Sequence, residues 1–343
     1  MKLIKVSLIL SVCMLYLGSI TAFAEDLQLD VKKTQVEYSI HAVAQFDTPG
    51  LKEIESLNSE IFDSIQMNKP RVMYDMSIKQ AQQQGMELFE NFYTNYGKVI
   101  RENEISLVKN FFVKVKGDTG SGNFTIPVKY TGNYQLTFPA LYTETVISLY
   151  SFQHENNQFH ITIVYGKTDG NWKLYAFRLG PYKLLDQNAN ELYKRARVLE
   201  KKGHTVMALL WLSNIDAYLK PSPFATYPDE KQIMEYRKEL TGKIDNTHSF
   251  PIEMTSIESK PKIYTIGSVF VKRDLIPVIK YRSTLYEKSE AVLQKEAEAI
   301  TGKIENLFPG ITVYQNNLLY QIFPPEGEDS EDKKSKAVYT EIK

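Results

Sequence analysis

The spacing of apolar residues divides the chain into stretches of helical and strand character. From Leu51 to Ile65 apolar side chains recur every three or four residues, which predicts an amphipathic helix. A second helical stretch covers residues 77–96 and begins at Ser77, a residue type that caps helix N-termini well. Residues 25–50, which precede both helices, read as extended.

From about residue 105 the apolar period changes to two, which is typical of β-strands. Within 158–168 apolar side chains point to one face, whereas His160 and Thr162 point to a mixed face. Short turns connect the last three strands, so we expect an antiparallel meander there. The predicted strands are 106–116, 123–131, 143–153, 158–168 and 171–179.

Residues 186–242 return to a helical period. We expect Asp186 to cap the first helix of this stretch. A second helix is predicted from about Thr205 to Leu219, where prolines follow, and a shorter one over about 229–242.

The C-terminal part of the chain has a pattern of its own. Its β-β-β-α-β order over 246–324 predicts a small α+β domain in which one helix packs across one sheet. Residues 325–343 are charged and poor in apolar side chains, so we expect a disordered tail. The predicted elements are strands 251–258, 262–272 and 274–283, a helix over 286–307 and a final strand over 311–323.

The first 24 residues have the three parts of a secretory signal peptide. Lys2 and Lys5 give a positive start, residues 6–17 are apolar, and Ala22-Phe23-Ala24 forms a cleavage site. The apolar run is shorter than the ~20 residues that span a bilayer. The sequence therefore predicts export with cleavage after Ala24 and no stable membrane anchor afterwards, and an uncleaved transmembrane anchor is the alternative.

The single cysteine, Cys13, lies inside this N-terminal segment. Val12 precedes it, whereas a lipoprotein signal needs a small residue there, so we interpret Cys13 as part of the apolar run. A mature chain without cysteine has no disulfide and no thiolate, which fits a bacterial envelope protein, periplasmic or secreted. The balance of 41 basic and 41 acidic residues argues against a nucleic-acid partner.

The order of elements in residues 25–182 resembles the NTF2-like superfamily. The resemblance rests on the helices around Ile54–Ile65 and Ile78–Tyr96 and on the closing hairpin FHITIVYGKTDGNWKLYAFRLG, residues 159–180. It implies an α+β cone, in which helices pack on a curved antiparallel sheet around a cavity. Enzymes of this superfamily often place an Asp–His or Asp–Tyr pair in that cavity, and other α+β folds share the same order of elements.

Residues 183–245 are similar to a single tetratricopeptide-type helical hairpin. The small residues Ala196 and Ala208 and the following Pro221 carry this resemblance. No second copy follows, and a repeat array needs about three. We therefore interpret the segment as a helical hairpin connector between two domains.

Four side chains on the predicted meander are candidates for ligand binding: His160, Tyr165, Trp172 and Arg178. Each lies on a strand that would line an NTF2-like cavity. Core packing is the alternative for the aromatic residues, and a solvent-exposed position or an anion contact for Arg178. No catalytic residue, cofactor or metal site is predicted.

Several patterns resemble catalytic or metal sites but lack residues that such sites need. Asp118-Thr119-Gly120 has the letters of an aspartic-protease loop, but that chemistry needs two such aspartates, so a turn is expected. His154, Glu155 and His160 flank one turn, where a solvated hairpin is the alternative to a metal site. The G-x-S-x-G, P-loop and G-x-G-x-x-G patterns are absent.

These observations favour an exported, non-enzymatic binding or interaction protein with an unknown small ligand or envelope protein as partner. One alternative is an enzyme that uses an NTF2-like cavity for acid–base or hydrolytic chemistry. A pocket with a carboxylate within about 3 Å of His160 would favour that enzyme, and a filled cone would oppose it. The other alternative is an envelope assembly component that binds a protein through the helical hairpin.

Overall fold

The computed structural model describes residues 36–41, 48–120, 122–128, 134–314, 316–325 and 335–342. The predicted signal peptide and cleavage site lie outside these residues. The predicted mixed α+β class is confirmed, since the described chain forms helices and three sheets in which antiparallel pairing dominates.

The chain divides into two compact units that do not follow one another along the sequence. The first unit comprises Met1–Asp186 and Asp216–Pro228, and the second comprises Gln187–Ile215 and Asp229–Lys343. This division differs from the predicted boundaries at 182 and 245. A connector over 183–245 would keep residues 216–228 with the neighbouring helices, whereas they belong to the first unit.

The first unit contains helices α1 to α4 and strands β1 to β8. It also contains most of α7, whose first residue, Ile215, is assigned to the second unit. The helices are α1 (Thr48–Gln66), α2 (Pro70–Met76), α3 (Lys79–Gln83), α4 (Met86–Arg101) and α7 (Ile215–Leu219). The strands are β1 (Glu37–His41), β2 (Ser106–Lys116), β3 (Asn123–Val128), β4 (Tyr134–Pro139), β5 (Glu144–His154), β6 (Asn157–Thr168), β7 (Asn171–Leu184) and β8 (Ala225–Thr226).

A five-stranded antiparallel sheet of order β1-β2-β5-β6-β7 forms the centre of this unit. The predicted meander of the last three strands is confirmed, and β2 has the predicted bounds of 106–116. Helices α1 and α4 cover one side, which we call the helix face. There Phe92 of α4 packs edge-on against Phe177 of β7, with ring centroids 5.0 Å apart.

A three-stranded sheet of order β3-β4-β8 covers the opposite side, which we call the outer face. Strand β4 was not predicted, although Tyr134, Leu136 and Phe138 alternate as buried residues along it. Its partner β8 follows about 90 residues later, and Leu136 pairs with Ala225. The predicted mixed face of β6 is therefore buried as fully as its apolar face.

The single helix predicted over 77–96 is wrong. Ser77 does not begin a helix; its hydroxyl donates to the Met73 carbonyl at the end of α2, and its backbone bridges to Leu174 of β7. Gly85 has a φ of +91°, which interrupts the helical path before α4.

The second unit begins with a helical pair followed by a third helix. These are α5 (Ala189–Lys201), α6 (Thr205–Leu212) and α8 (Glu230–Thr247). Asn188, rather than the predicted Asp186, caps α5 through a reciprocal capping box with Glu191. On α6 the Trp211 ring lies 3.6 Å below the Arg195 guanidinium.

The remainder of the second unit is a five-stranded sheet with one long helix. The sheet order is β13-β12-β11-β10-β9, with β11 and β12 parallel and the other pairs antiparallel. The elements are β9 (Ile252–Glu253), β10 (Lys262–Val271), β11 (Asp274–Arg282), α9 (Glu290–Leu307), β12 (Asn317–Phe323) and β13 (Lys336–Glu341).

The prediction that residues 325–343 form a disordered tail is wrong for its last part. Lys336–Glu341 form β13, which pairs antiparallel with β12 along its length. Val338 and Thr340 are 4% and 1% exposed, respectively, whereas Ala337, Tyr339 and Glu341 beside them are exposed. Two inward-facing side chains are too short an alternation to predict a strand in a segment with so many charged residues.

Two other predicted strands are shortened in the second unit. The strand predicted over 251–258 is limited to Ile252–Glu253, and the one over 311–323 begins only at Asn317. The reason in the second case is a turn after α9, where Glu305 accepts hydrogen bonds from the backbone of Gly310 and Thr312.

Candidate functional site

The four predicted ligand-binding residues lie on both faces of the five-stranded sheet. Directly paired residues in antiparallel strands point to the same face. Thr162 pairs with Arg178, and His160 pairs with Gly180, which places His160 and Arg178 together on the outer face. Tyr165 points to the helix face, so the structure does not bring all four side chains to one place.

On the helix face Tyr165 is part of a closed hydrogen-bond network. Its hydroxyl donates to Asn58 Oδ1 at 2.9 Å, and Asn58 Nδ2 donates to Ser148 Oγ at 3.1 Å. All three residues are at most 2% exposed. Burial holds the pKa of the Tyr165 phenol well above its usual value, so it stays neutral. The space between α1 and the sheet is filled at this point.

Trp172 lies at one end of the same sheet, beside a cluster of ions. Its ring is 6.3 Å from that of Phe112, and the Lys167 ammonium lies 5.3 Å from its centroid. Glu144 pairs with Lys167 at 2.8 Å and with Lys114 at 3.4 Å. Burial opposes ionisation of Glu144, but these two ammonium groups outweigh it and lower the pKa of the carboxyl. Trp172 itself is 6% exposed, which is typical of core packing.

His160 is enclosed by tyrosines on the outer face. Its Nδ1 lies 2.8 Å from the Tyr134 hydroxyl, and its ring stacks on Tyr182 with centroids 4.0 Å apart. Burial, helped by the positive charge of Lys183, lowers the pKa of the imidazole to about 3. Burial also raises the pKa of the Tyr134 phenol, so this pair is neutral.

Two buried polar atoms on this face have no hydrogen-bond partner among the described residues: His160 Nε2 and Thr162 Oγ1. Both residues belong to β6 and are at most 1% exposed. Arg178, directly opposite Thr162, is 4% exposed, and its Nη1 donates to the Phe177 carbonyl at 3.1 Å. We call His160, Thr162 and Arg178 the outer-face triad.

Other segments of the first unit cover the side of the sheet that carries the triad. Tyr134 packs against Tyr227, with ring centroids 5.4 Å apart. A Cβ atom on Gly180 would lie 2.3 Å from the Pro221 carbonyl oxygen, so the backbone of this segment rests directly on β7. The segment that follows α7 therefore closes the region next to His160.

His154 and Asp118, which the sequence places in turns that could resemble a metal site or a protease loop, have ordinary surroundings in the structure. His154 lies at the end of β5, where its Nδ1 is 3.2 Å from Asn103 Nδ2. Asp118 is in the turn between β2 and β3, flanked by Gly117 and Gly120 with φ near +90°. Within the described ranges no three His, Cys, Asp or Glu side chains cluster in a way that would hold a metal ion.

Sequence reasoning missed a buried carboxylate in the second unit. Glu296 on α9 is 4% exposed and accepts hydrogen bonds from the hydroxyls of Ser259, Ser283 and Tyr281. Burial, together with the charge of this carboxylate, raises the pKa of the Tyr281 phenol. The signal was available, since Glu296 falls in the apolar stripe of α9 between Leu293 and Ile300.

Another group not identified from the sequence lies on the surface of α5 and α8. The Arg197 guanidinium lies 5.7 Å from the ring of Tyr193 and 5.3 Å from that of Tyr236. The Arg197 Nη1 donates to the Tyr193 hydroxyl at 2.9 Å. The neighbouring Val198 is 54% exposed. We call Tyr193, Arg197 and Val198 of α5, together with Tyr236 of α8, which is 7% exposed, the helical-pair surface.

The chain matches no protein-family model, and no curated protein and no solved structure is significantly similar to it. Among the helices of the described chain, none combines the length and apolar character needed to cross a membrane.

Proposed function

We propose that the protein is an exported, non-enzymatic binding or interaction protein of the bacterial envelope. The proposal includes removal of the signal peptide after Ala24 and release into the periplasm or medium. The sequence of residues 1–24 supports this part. Edman sequencing of the secreted or periplasmic chain should begin at Glu25, and a mature chain that still begins at Met1 would contradict it.

The observation that carries the non-enzymatic assignment is the environment of His160. A general acid or base needs a pKa near the working pH and contact with the reacting group. His160 has a pKa of about 3, is 1% exposed, and makes its nearest polar contact with the neutral Tyr134 hydroxyl. These properties suit a buried structural or binding residue better than a proton-transfer residue.

We further propose that the first unit is an NTF2-like cone. The order of two main helices followed by an antiparallel meander supports this, as does the packing of α1 and α4 on one sheet face. The Asn58–Ser148–Tyr165 network fills the side on which this superfamily carries its cavity. That filling favours a scaffold or binding role over cavity chemistry.

The helical-pair surface favours a protein partner as a second candidate function, that of an envelope assembly component. Tyrosine and arginine are enriched among residues that dominate protein interfaces, and exposed Val198 adds apolar area beside them. Three of its residues lie on α5, the first helix of the segment that resembles a tetratricopeptide-type hairpin, and Tyr236 lies on α8.

A photo-crosslinking residue at position 198 tests this surface in cells. The matched control is position 292, another valine on a helix of the second unit, which is 36% exposed. We expect discrete adducts from position 198 that disappear when Arg197→Ala is added, and none from position 292. Equal adducts from both positions, or none from either, would reject the helical-pair surface as an interface.

A further inference from the structure

Strand β10 presents a largely unpaired edge in the sheet of the second unit. One side of the strand pairs with β11 along its whole length. Among the described residues, only the two residues of β9 pair with its other side, opposite Lys262 and Ile263. We call the remaining segment, Thr265–Val271, the β10 edge. The unpaired backbone donors and acceptors of such an edge are a template for another strand.

The register of β10 shows which backbone groups point away from β11. Val271 and Asp274 close a two-residue turn, so their N–H and C=O groups bond to each other. In an antiparallel ladder the next residue points the other way, and the orientation then alternates along the strand. The N–H and C=O groups of Phe270, Ser268 and Ile266 therefore point to the open side of the sheet.

The β10 edge lacks the features that usually protect an edge strand. Charged side chains and prolines normally prevent pairing between the sheets of two molecules. Between Lys262 and Lys272 no residue is charged and none is proline. By contrast, β13 at the opposite edge of this sheet begins with Lys336 and ends with Glu341. Every residue of the β10 edge is at least partly exposed, so an uncharged edge is open to pairing.

The side chains of the β10 edge also suit the addition of a strand. Val269, Phe270 and Val271 are of residue types that are enriched in β-strands. A Cβ atom on Gly267 would have no atom within 4 Å apart from its neighbours in the chain. A second strand of the same composition would therefore find both free backbone groups and free space beside the middle of the segment.

We propose that two copies of this chain associate by antiparallel pairing of their β10 edges around a two-fold axis at Ser268. Ser268 is the middle residue of the segment, and its backbone groups point to the open side. Two-fold pairing places Ser268 opposite its equivalent and Ile266 opposite Phe270 of the second copy, so about six backbone hydrogen bonds form. No like charges meet across this contact, because the paired segments are uncharged.

This association goes beyond the proposed function, since it makes a second copy of the chain a partner through a surface distinct from the helical-pair surface. Two paired strands of this length bury less area than the ~1,200 Å² at which stable interfaces begin. We therefore expect a weak, reversible dimer whose population rises with protein concentration.

Sedimentation equilibrium of the chain from Glu25 onward, at about 1–100 µM, measures the association. Ser268→Lys places two ammonium groups opposite each other at the axis and should raise the dimer Kd at least about tenfold. Ala337→Lys is the matched control, because it adds the same charge at an exposed position on the other edge strand of the sheet. It should leave the Kd unchanged.

Disulfide crosslinking tests the register. The chain from Glu25 onward contains no cysteine, so an introduced cysteine is unique. Residues opposite each other in a hydrogen-bonded antiparallel pair have Cα atoms about 5.5 Å apart, which is within the range of a disulfide. Ser268→Cys should give a disulfide-linked dimer on mild oxidation, whereas Ala337→Cys should stay monomeric.

A wild-type chain that stays monomeric at about 100 µM would overturn the β10 edge as an interface. A folded Ser268→Lys variant that dimerises as wild type does would overturn it as well, and equal crosslinking from positions 268 and 337 would overturn the pairing at Ser268. Thermal unfolding establishes whether Ser268→Lys is folded, and the cysteine variants decide if it is not. None of these results would affect crosslinks from position 198, so the two proposals fail separately.

Discussion

The hydroxyl of Tyr134 lies 2.8 Å from Nδ1 of His160 and joins the two sheets of the first unit by a buried hydrogen bond. Tyr134 belongs to β4 and His160 to β6, so the bond ties the small sheet to the outer face of the large one. Removal of either side chain would leave the polar group of the other buried without this hydrogen bond.

Tyr134→Phe should therefore lower the free energy of unfolding by about 1–3 kcal/mol, the range for a buried group left without its partner. Urea unfolding followed by fluorescence measures it. Tyr142→Phe is the matched control, since no described residue makes a hydrogen bond to the Tyr142 hydroxyl, and it should change stability by less than about 0.5 kcal/mol. Equal effects of the two changes would show that the Tyr134–His160 bond contributes nothing.

Stability should depend on pH through His160. Burial lowers its pKa from 6.5 to about 3 in the folded chain, so between these values only the unfolded chain binds the proton. The stabilising contribution is complete above about pH 6.5 and is lost as the pH falls toward 3, by up to about 1.4 kcal/mol per pH unit.

His160→Gln removes this titration, so its stability should fall less steeply than that of wild type between pH 6.5 and 4. Denaturant midpoints at several pH values measure the two slopes. Carboxylates titrate in both proteins, so their contribution to the pH dependence cancels in the difference between the two slopes. Parallel curves would mean that the imidazole is accessible to protons in the folded chain.

Gly180 and Gly242 should respond to the same substitution with opposite signs. An alanine Cβ at position 180 would lie 2.3 Å from the Pro221 carbonyl oxygen, a backbone atom that cannot move alone. Gly180→Ala should cost about 2 kcal/mol or displace the segment around Pro221. Gly242 lies in α8 with nothing within 4 Å of its Cβ position, so Gly242→Ala should stabilise by about 0.5–1 kcal/mol.

Chemical denaturation with separate probes for the two units measures both changes. A neutral Gly180→Ala variant with an unaltered proteolysis pattern around residue 221 would show that this close approach is not maintained in solution.

Strand β13 should be necessary for the second unit although its composition is that of a tail. Val338→Asp places a charge at a position that is 4% exposed and should cost about 3 kcal/mol or more. Ala337→Asp makes the same change at the adjacent exposed position and should cost less than about 0.5 kcal/mol. Thermal unfolding and limited proteolysis compare the two, and similar curves would show that β13 is dispensable.

Those elements of the fold that depend on local signals were predictable. Strand β2 and the β5–β7 meander follow from strict alternation and from short turns such as Asp169-Gly170, because neighbouring strands in sequence also pair in space. Helix α1 was predictable because the spacing of its apolar residues is itself a local signal.

Strand β4 carries a local signal, the alternation of Tyr134, Leu136 and Phe138, and it pairs with its sequence neighbour β3. Its second partner could not be predicted, because β8 is formed by residues 225–226, far away in the sequence. The surroundings of His160 could not be inferred for the same reason. Its alternation on β6 placed it on a mixed face, but Tyr134 and Tyr227, which enclose that face, come from distant segments.

The interleaving of the two units along the chain has a consequence at the level of the gene. Because residues 216–228 belong to the first unit while the segments on either side belong to the second, one crossover cannot separate the coding sequences of the units. Recombination at a single point would leave either β4 without β8 or the helices α5 and α6 without α8. The two units are thus expected to be inherited, duplicated and lost together.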